Sequence, residues 1–294
     1  MTQAIINGLL IGGVYALIAV GLTMIQGVMK IVNFAQGEFL AIGMYISYVL
    51  YQLLPAGSLP YWLLLPVAVI MFFIGSIVFK ATISKVIGRG TTSYILLTVG
   101  LSYLLSNGLQ LIFGPNYYSL QVSDGLKYGT VEALKGLNLY VQDSRLIAFG
   151  FALVFVLFIN WFLNKTDIGC AMRATAENQT VAASLGINTK FCFICAFSLG
   201  IMFAGISGLL ITPMFMAYPK IGSTFSIIAM SSMVLGGLGN IKGAMIGGLV
   251  IGIVESLTSI YISSELSPVV INSVLMIVLI FRPYGLFGKG ERKA

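Results

Sequence analysis

The first 29 residues, Met1 to Met29, contain no charged side chain, and this is the strongest single constraint on how the chain folds. A helix needs about 20 apolar residues to cross a hydrocarbon core about 30 Å thick. The segment lacks the basic start and small-residue cleavage site of a signal peptide, so we expect a retained first span. Only 9% of the 294 residues are charged, so a bilayer must solvate the apolar surface.

Apolar runs of comparable length recur to the end of the chain, separated by short polar segments. They predict an all-α fold, a polytopic transmembrane helical bundle forming one domain over residues 1–294. The candidate spans are residues 4–29, 34–54, 60–79, 91–113, 146–163, 191–212, 222–237, 241–262 and 266–282. The seventh run is short and ends in glycine, so it is either a full crossing or a re-entrant half-helix, and we expect about eight or nine spans.

Lysine and arginine are concentrated in three segments, residues 80–90, residues 164–190 and the tail after residue 282. The positive-inside rule assigns short basic segments of this kind to the cytoplasm. If every candidate run crosses, the N-terminus and the longest outer segment, residues 114–145, lie on the opposite side. This outer segment balances basic and acidic side chains, and it is either a docking surface for another protein or a plain connector.

The side chains that most enzyme chemistry requires are scarce. The chain has no histidine, so a histidine-based proton relay, catalytic triad or metal site is excluded, and no cofactor site is predicted. Cys192 and Cys195 form a C-x-x-C pair, which is a redox or metal motif where partner ligands accompany it. Because they stand at the start of an apolar helix without such ligands, we interpret both thiols as packing groups. The net charge of +7 is dispersed over the loops and predicts no nucleic-acid surface.

Small residues recur at intervals of four in several apolar runs. The series are Gly8, Gly12 and Ala16; Gly200, Ala204 and Gly208; and Gly239, Gly243 and Gly247. This spacing lets helix backbones approach closely, which matters because lipid supplies no hydrophobic drive between helices. Close packing is our interpretation, and hinges for motion are the alternative.

A polar segment from Lys30 to Glu38 separates the first two apolar runs. A charged side chain at a helix centre costs about 2.5–3.5 kcal/mol on insertion scales. If the segment is helical, Glu38 lies about 12 Å beyond Lys30 and therefore well inside the membrane boundary. One interpretation is a broken helix whose turn lines a translocation path with Asn33, Gln36 and Glu38. The alternative is a polar cap at the membrane surface.

Glu255 is a second carboxylate inside a predicted span. It stands in an otherwise apolar run with no partner nearby in sequence, although a buried carboxylate requires one. We therefore include Glu255 among the candidate residues of a translocation path, with a position near the outer membrane face as the alternative.

The cytoplasmic segment 164–190 is rich in helix-forming residues. Val181, Ala182 and Leu185 fall on one helix face, and Gly186 followed by Ile187 has the pattern of a helix C-cap with its apolar anchor. A short helix with a small apolar face suits docking into a groove on a cytoplasmic partner. An ordinary connecting helix is the alternative.

Three stretches of the chain resemble the permease subunits of ABC-type importers for branched-chain amino acids. GGVYALIAVGLTMIQGVMKIVNFAQGEFLAIGMY resembles the N-terminal signature of that family, GCAMRATAENQTVAASLGIN its cytoplasmic coupling loop, and VLGGLGNIKGAMIGGLVIGIVES its C-terminal signature. The stretches follow the family's order from one end of the chain to the other. The resemblance identifies the family more specifically than it identifies the transported solute.

The resemblance implies a transport subunit that is not itself an enzyme, and the chain contains no G-x-x-x-x-G-K-[ST] phosphate loop. It implies that ATP is bound by two separate cytoplasmic ATPase subunits. It also implies two further partners, a second related permease and an extracytoplasmic binding protein, and a location in the bacterial cytoplasmic (inner) membrane. It also implies that the ATPase is contacted by Arg173, Glu177, Asn178, Leu185 and Gly186.

The expected function is therefore ATP-driven import of leucine, isoleucine and valine by alternating access. A permease of the same family for urea, short amides or other amino acids is the first alternative. An ion-coupled secondary carrier is a second, although Glu38 and Glu255 are the only acids in the spans for a coupling-ion site. A membrane enzyme is disfavoured because paired acids, histidine and a cysteine cluster are all missing.

Overall fold

A computed structural model describes residues 1–53, 60–120, 130–134 and 139–288. These residues form a bundle of α-helices, which confirms the predicted fold class. In chain order the helices are α1 (Thr2–Met29), α2 (Gln36–Gln52), α3 (Leu64–Ala81), α4 (Thr91–Phe113), α5 (Asp143–Lys165), α6 (Asp167–Glu177), α7 (Gln179–Ser184), α8 (Thr189–Ile211), α9 (Ile221–Gly236), α10 (Ile241–Tyr261) and α11 (Ser267–Phe281). Short 3₁₀ helices, Pro60–Leu63 and Ile83–Lys85, flank α3.

Six helical segments of the described chain are long and apolar enough to cross a membrane, so the protein is a multi-pass membrane protein. They are Thr2–Met29, Tyr61–Lys85, Thr91–Phe113, Asp143–Lys165, Thr189–Ile211 and Ile241–Tyr261. Helices α2, α9 and α11 are shorter, with 17, 16 and 15 residues. At about 1.5 Å per residue, α9 measures about 24 Å and is shorter than a hydrocarbon core of about 30 Å.

Helices α1 and α8 form the centre of the bundle. Both are buried almost all round, whereas α3, α4 and α5 bury one face and expose apolar side chains on the other. A helix that is apolar on every side is stable only in such an interior position. The exposed side chains of α3 recur every four residues and form the lipid-facing stripe Leu65, Val69, Phe73 and Ile77.

Helices α1 and α10 run antiparallel with their backbones in close contact. A Cβ added at Gly12 would stand 2.9 Å from the Cα of Leu249, and one added at Gly248 would stand 2.3 Å from the backbone nitrogen of Ala16. Only a residue without a side chain permits these distances. Close packing is therefore the role of the small residues in this helix pair, as their spacing predicted.

The described parts of the three basic segments, up to residue 288, lie at one end of the bundle. Gly27, near the end of α1, faces Gly239 in the turn between α9 and α10. The backbone N–H of Leu286, after α11, donates to the carbonyl of Leu235 near the end of α9 at 2.8 Å. Helix α3 runs antiparallel to α8, so the segment 82–90 is at the same end as the start of α8. We assign this end to the cytoplasm by the positive-inside rule.

The opposite end carries the outer segment, which contains an antiparallel pair of strands, β1 (Thr130–Leu134) and β2 (Leu139–Gln142), that the sequence did not predict. Backbone hydrogen bonds of 2.8 and 2.7 Å between Tyr118 and Ala217 join the start of this segment to the loop after α8. Residues 121–129 and 135–138 lie outside the described residues, so a docking role for segment 114–145 stays a prediction.

The cysteines agree with the packing interpretation. All three, Cys170, Cys192 and Cys195, are free thiols. Cys192 and Cys195 are buried among apolar side chains on α8, where they fill the core.

Candidate functional site

The polar segment between α1 and α2 turns the chain back into the bundle. Lys30 ends α1 in the left-handed conformation, with φ at 56°, and its N–H donates to the Gln26 carbonyl at 2.8 Å. The following residues have no helical structure until α2 begins at Gln36. An added Cβ at Gly21 would stand 3.2 Å from Nε2 of Gln36, so α2 begins level with Gly21, about 12 Å from the end of α1. The segment is thus a reversal between two separate helices that carries the start of α2 into the bundle, and a role of its turn in a translocation path stays a prediction.

Asn33 and Gln36 hold this turn in place. Oδ1 of Asn33 accepts from the N–H of Ala35 at 3.2 Å, and its Nδ2 donates to Oε1 of Gln36 at 3.1 Å. Nε2 of Gln36 donates to the backbone carbonyl of Gly200, the twelfth residue of α8, at 3.0 Å. Both side chains are fully buried. They therefore fix the start of α2 against α8 and do not line the cavity described below.

The first turns of α2 and α9 meet inside the bundle. The N–H of Gly37 donates to Oγ of Ser226 at 2.9 Å, and that hydroxyl donates to the carbonyl of Phe34 at 3.2 Å. Helix α2 runs outward from this point and α9 runs toward the cytoplasmic end, so two helix N-termini with their partial positive charges converge here. Neither helix has a side-chain cap at its N-cap residue.

Glu38 stands in the first turn of α2, where the helix dipole favours a negative charge. Its side chain is 2% exposed, and Oε1 accepts a hydrogen bond of 3.4 Å from Oγ of Ser102 on α4. Oε2 has no hydrogen-bond partner among the described residues. A buried oxygen of this kind is costly unless something else binds it, which makes Glu38 the leading candidate for a functional role at this site.

Glu38 forms part of the wall of a cavity of about 650 Å³ between α2, α4 and α9. This volume lies within the range of roughly 300–1,000 Å³ that small-molecule sites occupy. Val99, Ile227 and Met230 supply an apolar part of the wall. The polar part includes Glu38, Ser102, Ser106, Asn107, Lys220 and Ser223.

The outer flank of this cavity, along α4 and α9, is exposed. Tyr103 is 69% exposed, and the side chains of Asn107 and Ser223 are exposed beside it. The lipid-facing stripe of α3, by contrast, consists of apolar side chains alone. Nδ2 of Asn107 and Oγ of Ser223 donate to the carbonyls of Tyr103 and Lys220, both at 2.8 Å, but acyl chains cannot satisfy the remaining hydrogen-bonding capacity of these groups, so the flank is more polar than the α3 stripe.

The comparison with known protein families decides what kind of membrane protein this is. The family described as branched-chain amino acid transport system / permease component matches residues 4–281. The chain belongs to this permease family. No solved structure matches the chain at a significant level.

Curated members of the permease family align with nearly the whole chain. It is 32% identical to the high-affinity branched-chain amino acid transport system permease protein LivH of Escherichia coli, over 98% of this chain and 96% of LivH. It is 30% identical to the corresponding protein BraD of Pseudomonas aeruginosa, over the same shares of each chain. The permease protein LivM of Escherichia coli is 23% identical over 93% of this chain and 67% of LivM.

The cytoplasmic segment of the permease forms two short helices, α6 and α7, that meet at Asn178. Oδ1 of Asn178 accepts from the N–H groups of Thr180 and Val181 at 3.0 and 3.1 Å and so caps α7. The side chain of Asn178 therefore sets the angle between the two helices, whatever it contacts in a partner.

Helix α7 ends in a Schellman motif. Gly186 has φ at 84°, and the N–H groups of Gly186 and Ile187 donate to the carbonyls of Ala183 and Ala182, both at 3.0 Å. The predicted C-cap is confirmed. The motif leaves Leu185 at the tip of the segment, 75% exposed.

Arg173 and Glu177 have different surroundings. Arg173 donates to the backbone carbonyl of Leu163 and, at 3.0 Å, to Oδ1 of Asn164, so it ties α6 to the end of α5. Glu177 is exposed at the end of α6. An ATPase-contacting role for these residues stays a prediction, and Glu177 and Leu185 are the two whose side chains are free to reach a partner.

Glu255 lies apart from the cavity, between α10 and α1. Its carboxylate interacts electrostatically with the Tyr15 hydroxyl and the Arg145 guanidinium, and its Oε2 has no hydrogen-bond partner among the described residues. These partners are distant in sequence, which is why none was evident from the local pattern. A path role for Glu255 stays a prediction.

Sequence reasoning missed the cavity residues outside α2. Ser102 and Ser106 lie four residues apart on α4, with Asn107 next to them, and this polar stripe in an apolar run was the available signal. Lys220 was a second signal, because it is a basic residue in a segment that the charge rule places outside.

Proposed function

We propose that this chain is the permease subunit of an ATP-driven importer and that it forms part of the translocation path for leucine, isoleucine and valine. The match to the permease family over residues 4–281 carries this proposal. LivH and BraD are named for branched-chain amino acid transport, which favours these solutes over urea and short amides. The subunit resides in the cytoplasmic (inner) membrane.

The path follows the cavity between α2, α4 and α9, and a second, related permease covers its exposed flank. Two observations support this arrangement. The flank presents the polar side chains of Asn107 and Ser223 at the surface, and lipid cannot bind the hydrogen-bonding capacity that their contacts with Tyr103 and Lys220 leave over. Escherichia coli has two permease proteins of the named transport system, LivH and LivM, and this chain is similar to both.

ATP is bound and hydrolysed by two cytoplasmic partner subunits that dock on α6 and α7. The exposed apolar side chains Val181 and Leu185 stand four residues apart and form a small ridge of the kind that inserts into a groove. An extracytoplasmic binding protein delivers the solute at the opposite end of the bundle. ATP binding then shifts the bundle from outward to inward access by the differential affinity of the partners for the two states.

Reconstitution tests this function. The proteoliposomes contain this chain, the second permease and the ATPase subunits, and the binding protein is supplied with them. They should accumulate radiolabelled leucine only when ATP is present on the side of the membrane that carries the ATPase subunits. Omission of this chain should abolish accumulation. Uptake by this chain alone, driven by an ion gradient and independent of ATP, would instead identify a secondary carrier.

A further inference from the structure

We infer that Glu38 binds the α-ammonium group of the amino acid in the cavity and that the N-terminal end of α9, with Lys220 and Ser223, holds its carboxylate. This inference rests on the proposed function and deepens it, because it assigns an orientation to the solute.

The first part follows from the unsatisfied carboxylate. Glu38 is 2% exposed, and its Oε1 accepts a hydrogen bond from Oγ of Ser102 at the long distance of 3.4 Å. Oε2 has no hydrogen-bond partner among the described residues and packs against Gly222, while the Glu38 side chain forms part of the cavity wall. An ammonium group offers three donors and a positive charge, so it completes both the hydrogen bonding and the charge balance of this carboxylate. A neutral solute such as urea supplies only the donors.

The second part follows from the start of α9. Lys220 is the N-cap residue and makes no side-chain cap, and of the first N–H groups that of Ile221 donates to the Tyr218 carbonyl at 3.1 Å. Oγ of Ser223 donates to the backbone carbonyl of Lys220 at 2.8 Å, and both side chains line the cavity. Uncapped N–H groups and a lysine at a helix start form an anion site. Gly222, against which Glu38 packs, directly precedes Ser223, so the cation and anion sites are neighbours, as the charged groups of an α-amino acid are.

The remaining wall suits an aliphatic side chain. Val99, Ile227 and Met230 line the same cavity and present only apolar groups. Burial of each methylene group of the solute contributes about 0.8 kcal/mol. The site therefore suits an α-amino acid with an aliphatic side chain, held at both charged ends.

Analogues that lack one charged group test the assignment. The complete complex of both permeases and the ATPase subunits is placed in lipid nanodiscs without the binding protein. Equilibrium dialysis then measures binding of labelled leucine, 4-methylpentanoate (no amino group) and 3-methylbutylamine (no carboxylate). Glu38→Gln should weaken leucine and 3-methylbutylamine by about tenfold or more and leave 4-methylpentanoate within about twofold. Lys220→Gln should show the opposite selectivity between the two analogues.

Glu265→Gln is the matched control, because Glu265 is an exposed carboxylate in the outer turn before α11. It should bind all three compounds as the wild type does. Unchanged leucine binding in Glu38→Gln would overturn the inference, and so would an equal loss for all three compounds, which is the result of a purely structural role. If the wild-type complex transports leucine and the Glu38→Gln complex gives either of these results, only the orientation of the solute is refuted. A wild-type complex that does not transport leucine refutes the proposed function itself.

Discussion

Oε2 of Glu38 lies so close to Gly222 that a Cβ added to this glycine would stand 2.3 Å from it. The contact joins the first turn of α2 to the first turn of α9 at the wall of the polar cavity. Because no side chain fits between the carboxylate and the α9 backbone, the position of Glu38 depends on the absence of a side chain at residue 222.

Gly222→Ala should therefore displace Glu38 or push α9 away from α2. Overpacking of a filled site costs about 1–3 kcal/mol, and we expect ATP-driven leucine uptake to fall by roughly tenfold. Gly150→Ala is the control, because no atom lies within 4 Å of a Cβ added at Gly150 on α5. Leucine uptake at the wild-type rate by both variants would show that transport does not depend on the close contact between Glu38 and Gly222.

Gln36→Leu should destabilise the turn that starts α2. The substitution leaves the Gly200 carbonyl and the Asn33 amide without their partner, which costs about 1–3 kcal/mol for each buried group. We expect the apparent Tm of the complex in detergent to fall by several degrees. Gln110→Leu, at an exposed position of α4, should leave Tm unchanged. Equal Tm values for the two variants would argue against the hydrogen-bonded turn.

Leu185→Glu should separate the permease from its ATPase subunits. It places a charge on the exposed ridge of α7, and apolar anchors at the centre of an interface commonly contribute more than about 1 kcal/mol. The expected result is loss of the ATPase from the purified complex while both permeases remain together. Ala183→Glu, on the opposite exposed side of α7, should retain the ATPase. Retention by both variants would place the docking surface elsewhere.

Asn107→Trp should weaken assembly with the second permease, because a bulky ring on the exposed flank of the cavity keeps the partner helix away. Co-purification of the second permease measures the effect. Ile77→Trp, on the lipid-facing stripe of α3, is the matched substitution and should assemble normally. If Ile77→Trp blocks assembly and Asn107→Trp does not, the partner binds the α3 side.

The bounds of the membrane helices could be predicted closely from the sequence. The predicted span 91–113 coincides with α4, Thr91–Phe113, and the span 241–262 differs by one residue from α10, Ile241–Tyr261. A membrane helix satisfies its own backbone hydrogen bonds, so the length and apolarity of the run contain most of the information. The strands β1 and β2 lie outside the spans and give no such signal.

The site could be predicted only in part. Glu38 stood out because a carboxylate in an apolar run is costly, but its surroundings come from α4 and α9, far along the chain. Gln36 is 164 residues from its partner Gly200, and no local period reports such a contact. The reversal at Lys30 was also hidden, because a non-glycine residue rarely adopts a positive φ.

The most direct test of the central claim is to locate the solute during transport. A diazirine analogue of leucine is supplied to the reconstituted importer with ATP, the sample is irradiated, and mass spectrometry locates the adducts. The account predicts adducts on α4 and α9 around Val99, Ile227 and Met230, suppressed by excess leucine. Leucine-suppressible adducts at other positions, with none on α4 or α9, would contradict it.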